Sequence, residues 1–275
     1  MLEMPTLKAP LISAVVLAVL SVTSSVRASQ AWGASVGGGS RIDLFPINTI
    51  DGTVVSGGVS SSGESLLAIG IDDLASDPLR YPSYVWAVRS GSVNDMFVVD
   101  PYREEIISHT LLDAPTHILG VAINPVDGVL YGTAADAIYS IEPFTGKTTL
   151  VAPMATPVTD GIGFDNAGRL FGIHGAKFYE IDLSDGSAAQ KSILSANFAV
   201  DLAADPTDGV MYALGPNVYD WGTINVDTGA FTSLGDGLGR AGGLAFTAVP
   251  EPSCLAMLAG AGAAAFVNRR RRNIA

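Results

Sequence analysis

Gly120-Val121-Ala122-Ile123-Asn124-Pro125-Val126-Asp127-Gly128-Val129-Leu130-Tyr131-Gly132 decides the fold, because its pattern returns twice. It recurs as Gly161-Ile162-Gly163-Phe164-Asp165-Asn166-Ala167-Gly168-Arg169-Leu170-Phe171-Gly172. It recurs again as Asp201-Leu202-Ala203-Ala204-Asp205-Pro206-Thr207-Asp208-Gly209-Val210-Met211-Tyr212-Ala213. The three starts are 41 and 40 residues apart. Each copy is a short apolar run, a turn, and a second apolar run carrying an aromatic. Asn-Pro or Asp-Pro opens a turn, and the following glycine accepts a positive φ. The pattern is that of two short strands joined tightly.

Weaker copies extend the series. Upstream, Ala68-Ile69-Gly70-Ile71-Asp72 is read as a first strand and Val85-Trp86-Ala87 as its partner, with Leu74 to Tyr84 as an insertion. Downstream, Gly243-Leu244-Ala245-Phe246-Thr247 begins 42 residues after Asp201. A second half also recurs. Met96 to Asp100, Ile138 to Glu142, Lys177 to Asp182 and Gly222 to Asn225 open it, with turn glycines at Gly146, Gly186 and Gly229 in the last three. Four short strands per unit at a period near 40 residues describe a β-propeller blade. The small residue in each first strand (Gly70, Ala122, Gly163, Ala203, Ala245) suits a crowded axis. The aromatic in each second strand (Trp86, Tyr131, Phe171, Tyr212) suits the space between neighbouring sheets.

The fifth unit has only its first strand before the C-terminal segment begins. Its missing strands are found at the other end of the chain: Ala31-Trp32-Gly33 as second, Asp43 to Asn48 as third, and Gly52-Thr53-Val54-Val55 as fourth. Five blades, with both chain ends completing the last, leave no open sheet edge. The competing architecture is an open or distorted β-solenoid. Acids and amides that recur blade after blade (Asn124, Asp165, Asp205, Asp72; Glu142, Asp182, Asn225, Asp100) are read as turn formers.

The two ends have a different composition from the 29–248 body. The chain has 275 residues, 27 acids and 15 Lys or Arg; removing the two acids and six bases of the ends leaves a body of formal charge −16. That body repels phosphate backbones, which argues against nucleic acid as a partner. A single cysteine, Cys254, rules out an internal disulfide. Residues 1–28 read as a signal peptide: Lys8, an apolar run from Leu11 to Leu20, and Val26-Arg27-Ala28 as a cleavage site after Ala28, with a retained anchor as the alternative.

Residues 249–275 carry Val249-Pro250-Glu251-Pro252-Ser253, an apolar run from Cys254 to Val267, and Arg269, Arg270, Arg271 and Arg272. The prolines hold the chain extended, and the run is expected to form a transmembrane helix. As a helix, residues 253–267 would span about 22 Å at about 1.5 Å per residue, short of a hydrocarbon core of about 30 Å. The four arginines would hold the far end on the cytoplasmic side. This order of parts resembles the PEP-CTERM sorting domain of exported proteins in many Gram-negative bacteria, with Pro250, Glu251 and Pro252 matching its motif. The resemblance implies processing by an exosortase and delivery to the cell surface or extracellular matrix. An ordinary anchor without processing is the alternative.

Chemistry is harder to find. There is no phosphate-binding loop, nucleophile elbow or spaced His/Cys set, and His109, His117 and His174 lie far apart. No cofactor is implied. Asp160 and Asp201, at the starts of first strands, are the candidates for a glycosidase-like pair facing a central channel. Asp72, Asp73 and Asp77 are a candidate calcium cluster, with a solvated acidic loop as the alternative. The expectation is a non-enzymatic binding or structural propeller, with a polysaccharide or surface protein as partner and a channel hydrolase as the competing class.

Overall fold

The computed structural model describes residues 29–35, 43–51, 53, 55, 59–60, 72–89, 94–103, 105–158, 160–194, 201–214, 221–235 and 241–249. The signal helix and the transmembrane helix expected at the two ends lie outside these residues. The described residues hold strands, turns and bends and no helix.

In chain order the strands are β1 (Ser29–Ser35), β2 (Asp43–Ile47), β3 (Val59–Ser60), β4 (Asp73–Ser76), β5 (Val85–Arg89), β6 (Asp95–Asp100) and β7 (Glu105–Leu111). They continue as β8 (Gly120–Ile123), β9 (Leu130–Thr133), β10 (Ala137–Ile141), β11 (Thr148–Pro153), β12 (Gly161–Phe164), β13 (Leu170–His174) and β14 (Lys177–Ile181). The remainder are β15 (Ala188–Ile193), β16 (Asp201–Ala204), β17 (Met211–Leu214), β18 (Trp221–Ile224), β19 (Phe231–Gly235) and β20 (Ala241–Ala248). They form five four-stranded sheets: β4 to β7, β8 to β11, β12 to β15 and β16 to β19 as blades one to four, and β20-β1-β2-β3 as the closing blade. The five-bladed propeller is the observed fold.

Closure follows the reading from sequence. β1 lies antiparallel beside β20, with Ala31 opposite Phe246, Trp32 opposite Ala245 and Ser29 opposite Ala248. A buried polar contact fixes this seam. Trp32 Nε1–H donates to Thr247 Oγ1 at 2.8 Å, and the Tyr102 hydroxyl of blade one meets the same oxygen at 2.9 Å. The Trp32 and Tyr102 rings meet edge to face at 5.4 Å. Thus the closing blade is joined to blade one as well as to itself.

Two elements differ from the sequence reading. The first strand of blade one is Asp73-Leu74-Ala75-Ser76 and not Ala68 to Asp72, whose residues 68–71 lie outside the described set. The deciding feature is the turn: Asp77 Oδ1 accepts from the Leu79 and Arg80 amides, as Asp205 Oδ1 accepts from Thr207. Asp77 therefore occupies the turn-forming position assigned to Asp72, and Ala75 the axial position assigned to Gly70. The second difference is β3. Asn48 N–H to Thr53 C=O and Val55 N–H to Pro46 C=O, both 2.9 Å, place Thr53 and Val55 beside β2 as expected. The assigned strand, however, is Val59–Ser60, opposite Leu44 and Asp43.

Glu142 closes its turn through its backbone oxygen, which accepts from the Thr145 and Gly146 amides, and the remaining turn formers act through their side chains. Asn124, Asp165, Asp182, Asn225 and Asp100 each accept a backbone N–H two residues ahead through their side-chain oxygens. Gly186 shows why the turn glycine is needed. Its φ is +74°, and a Cβ there would fall on the Pro153 carbonyl oxygen of the preceding blade. The core is five interblade clusters. Trp86 packs between blades one and two, Tyr131 beside Phe164 of blade three, Phe171 with Leu202 of blade four, and Tyr212 on Phe246 of the closing blade. A buried side chain of this size contributes roughly 1.5–3 kcal/mol.

Candidate functional site

The five inner strands β4, β8, β12, β16 and β20 ring the axis in one direction: strand starts meet at one end of the channel and strand ends at the other. At the starts the register places Asp73, Gly120, Gly161, Asp201 and Gly243 at one level. The glycines leave room that the two aspartates fill. Both carboxyls are fully buried. Asp73 accepts from its neighbour Leu74 at 2.7 Å and from Val121 of blade two at 2.6 Å. Asp201 accepts from Leu202 at 2.6 Å and from Leu244 of the closing blade. The two carboxyls also hydrogen-bond each other.

Two carboxyls in contact and out of water cannot both stay ionised. Burial pushes Asp73 up to about 8, although its hydrogen bonds from Asp201, Val121 and Leu74 pull the other way. Burial, and then the Asp73 charge, raise Asp201 well above the ordinary carboxylate range. The pair therefore holds a proton at neutral pH, and each oxygen pair also stitches one blade to the next.

This differs from the pair expected from the sequence. Asp201 is axial as read, but its partner is Asp73. Asp160 sits one residue before the axial level, partly exposed. It accepts from the Gly175 amide at the β13–β14 hairpin and lies 3.8 Å from His174 Nδ1. A glycosidase needs its two carboxyls about 5 Å or more apart with a sugar between them. Asp73 and Asp201 touch instead.

The calcium cluster is also dispersed. Asp73 and Asp77 lie at opposite ends of β4, and Asp77 is occupied by its turn and by Arg80 at 2.9 Å. Among the described residues no three His, Cys, Asp or Glu side chains converge as a metal site.

Beyond the carboxyls the channel narrows to a cavity of about 50 Å³ lined by the inner strands. Ala75, Ala122, Gly163, Ala203 and Ala245 line it, and a Cβ on Gly163 would come within 2.8 Å of the Leu202 carbonyl oxygen. At the strand ends it opens into a cavity of about 220 Å³ framed by Pro78, Leu79, Pro125, Asn166 and Pro206. One polar cluster lies away from the axis, in blade one. Arg89 grips buried Asp95 through two nitrogens at 2.7 and 2.5 Å, and His109 Nε2 meets the same carboxylate at 2.7 Å. The His109 ring stacks on Phe97 at 4.3 Å. The sequence offered no signal for this grouping, since only strand pairing aligns β5, β6 and β7.

The chain leaves the propeller at the strand-end face. Ala248 is the last residue of β20, its amide donating to Pro82 at 2.9 Å, and Val249 follows. Residues 248–272 match the PEP-CTERM protein-sorting motif. The chain carries that sorting signal. It implies export, anchoring in the membrane before processing, and processing by an exosortase. In structure, the body is similar to a chain of a nidogen/laminin complex, with a TM-score of 0.53 at 11% identity over 80% of this chain and 98% of that one. It is equally similar (TM-score 0.53, 18% identity, 82% of this chain and 100% of the other) to a protein from work on the de novo evolutionary emergence of a symmetrical protein. These likenesses establish the fold alone. No curated protein matches the chain in sequence.

Proposed function

We propose that the mature protein is a non-enzymatic binding or structural propeller, displayed at the cell surface or in the extracellular matrix. In this reading residues 1–28 are the signal peptide, 29–248 the propeller, and 249–275 a removable sorting segment. Pro250, Glu251 and Pro252 are what the exosortase reads, residues 253–267 the transient membrane span, and Arg269 to Arg272 the cytoplasmic retention cluster. The observation that carries it is that the sorting motif begins at the last residue of β20, so that removal of residues 249–275 spares every blade.

A binding role is favoured over a hydrolase by the state of the channel. Its two carboxyls are buried, in contact, and already satisfied by four backbone amides, which leaves no place for a glycosidic bond. The partner expected is a polysaccharide or another surface protein.

The test is mass spectrometry of the mature protein from its native host, for the natural chain and for a variant with Pro250, Glu251 and Pro252 replaced by alanine. The natural chain should begin at Ser29 and lack the tail, and the variant should keep it. Normal processing of the variant would remove the sorting reading.

A further inference from the structure

Both chain ends leave from the same face. Ser29 and Ala248 are register partners, so they sit at the same end of the closing blade. That end is the strand-end face, where Ala248 bonds Pro82 and Ser76 bonds Phe246. Between Ala248 and the apolar run beginning at Cys254 there are five residues, Val249 to Ser253. At no more than about 3.6 Å per residue, they reach about 18 Å. The interfacial layer of a leaflet is itself some 5–7 Å thick. While the tail is in the bilayer, this face therefore stands within a few side-chain lengths of the headgroups.

The rim of that face is uneven. On blades one and two its loops expose Leu79 (71%), Val126 (64%), Phe144 (45%) and Tyr81 (37%), whereas the closing blade contributes Ile50 (80%) from the turn after β2. The rings of Tyr81 and Phe144 meet at 6.1 Å, joining the two blades into one apolar lip. Its arginines, Arg80 and Arg103, are each partly or largely exposed and each paired with a buried aspartate, Asp77 and Asp100. Glu105, Asp127 and Glu142 are the exposed acids there among the described residues. On blades three and four the corresponding tips are Asn166 and Ala167, Thr207 and Asp208, and Asp227 paired with Arg169, with no large apolar side chain exposed among the described residues. On a body of formal charge −16, the lip is where several exposed apolar side chains and an aromatic pair gather beside arginines, the composition that settles at a membrane surface.

Resting on the tethered reading above, we propose that the Leu79–Tyr81–Val126–Phe144 lip docks on the lipid headgroup layer. The tethered propeller then lies tilted, with blades one and two down and the tips of blades three and four lifted into solvent. The tether leaves beside Pro82 and so already favours blade one; the lip extends the contact to blade two and fixes the tilt.

The test uses the full chain with its tail, in vesicles of phosphatidylethanolamine and phosphatidylglycerol containing a headgroup-spin-labelled lipid. Cys254→Ala removes the native thiol. Single cysteines at Leu79→Cys, Val126→Cys, Ala167→Cys and Asp208→Cys then carry a fluorophore, with circular dichroism confirming the fold of each. Quenching at 79 and 126 should exceed that at 167 and 208 several-fold, and Tyr81→Ser with Phe144→Ser should abolish the excess at 126; an excess that survives this change would assign the tilt to the tether and overturn the docking. Equal quenching, or the reverse order, overturns the docking, as does a difference that vanishes when protein is diluted in lipid, which would mean contact between copies. Failure of the chain to float with vesicles would instead defeat the tethered reading itself.

Discussion

Asp201→Asn tests the axial carboxyl pair. In the natural protein the raised acids keep a proton that the unfolded chain gives up near its ordinary value of 3.8. The folded state then binds more protons than the unfolded one. Stability is highest below that value and falls as pH rises toward the folded pKa, about 8 for Asp73. Each retained proton gives a slope of up to about 1.4 kcal/mol per pH unit. The substituted amide has one acceptor oxygen where the carboxyl had two, so either Leu202 or Leu244 loses its partner. That should cost about 1–3 kcal/mol at pH 5. The new NH2 group, however, can donate to Asp73 and favours its ionised form, which flattens the slope. The two stability curves, from urea unfolding at pH 5 to 9, should converge or cross toward alkaline pH. Parallel curves would refute the shared proton.

Trp32→Ala should lower stability by about 3–5 kcal/mol, because it removes a buried aromatic and its Nε1–H bond to Thr247, whose hydroxyl keeps Tyr102; a loss of unfolding free energy in urea under a third of that would contradict closure through β1 and β20. Gly186→Ala and Gly175→Ala share the penalty of positive φ, but only position 186 meets backbone, since nothing lies within 4 Å of a Cβ at 175. Thermal melts should place Gly186→Ala at least about 1 kcal/mol below Gly175→Ala, the scale of overpacking, and equal losses would deny the interblade contact.

Much of the ring was legible because its turns repeat: Asn124-Pro125 and Asp205-Pro206 mark where strands end whatever the strand residues are. Blade one misleads the same logic when it is applied to the wrong feature. Ala68-Ile69-Gly70-Ile71-Asp72 matches the apolar pattern of a first strand, but Asp73-Leu74-Ala75-Ser76-Asp77-Pro78 matches Asp201-Leu202-Ala203-Ala204-Asp205-Pro206 in pattern and in turn. With that alignment Asp73 would have stood opposite Asp201. Even so, their contact was not readable from spacing. It crosses the closing blade and exists only because glycines hold the other three positions of that level. The end of the sorting tail was legible for the opposite reason: it is local sequence.

The seam has a mechanical consequence. A pull on the membrane tether enters the body at Ala248 and runs along β20, whose whole ladder to β1 shares the load at once. Such shear resists rupture far better than a tug that peels hydrogen bonds one at a time. The leash is thus fastened at the hub of the wheel, so drag on the anchored precursor is borne by its innermost spoke and not by a loose outer edge.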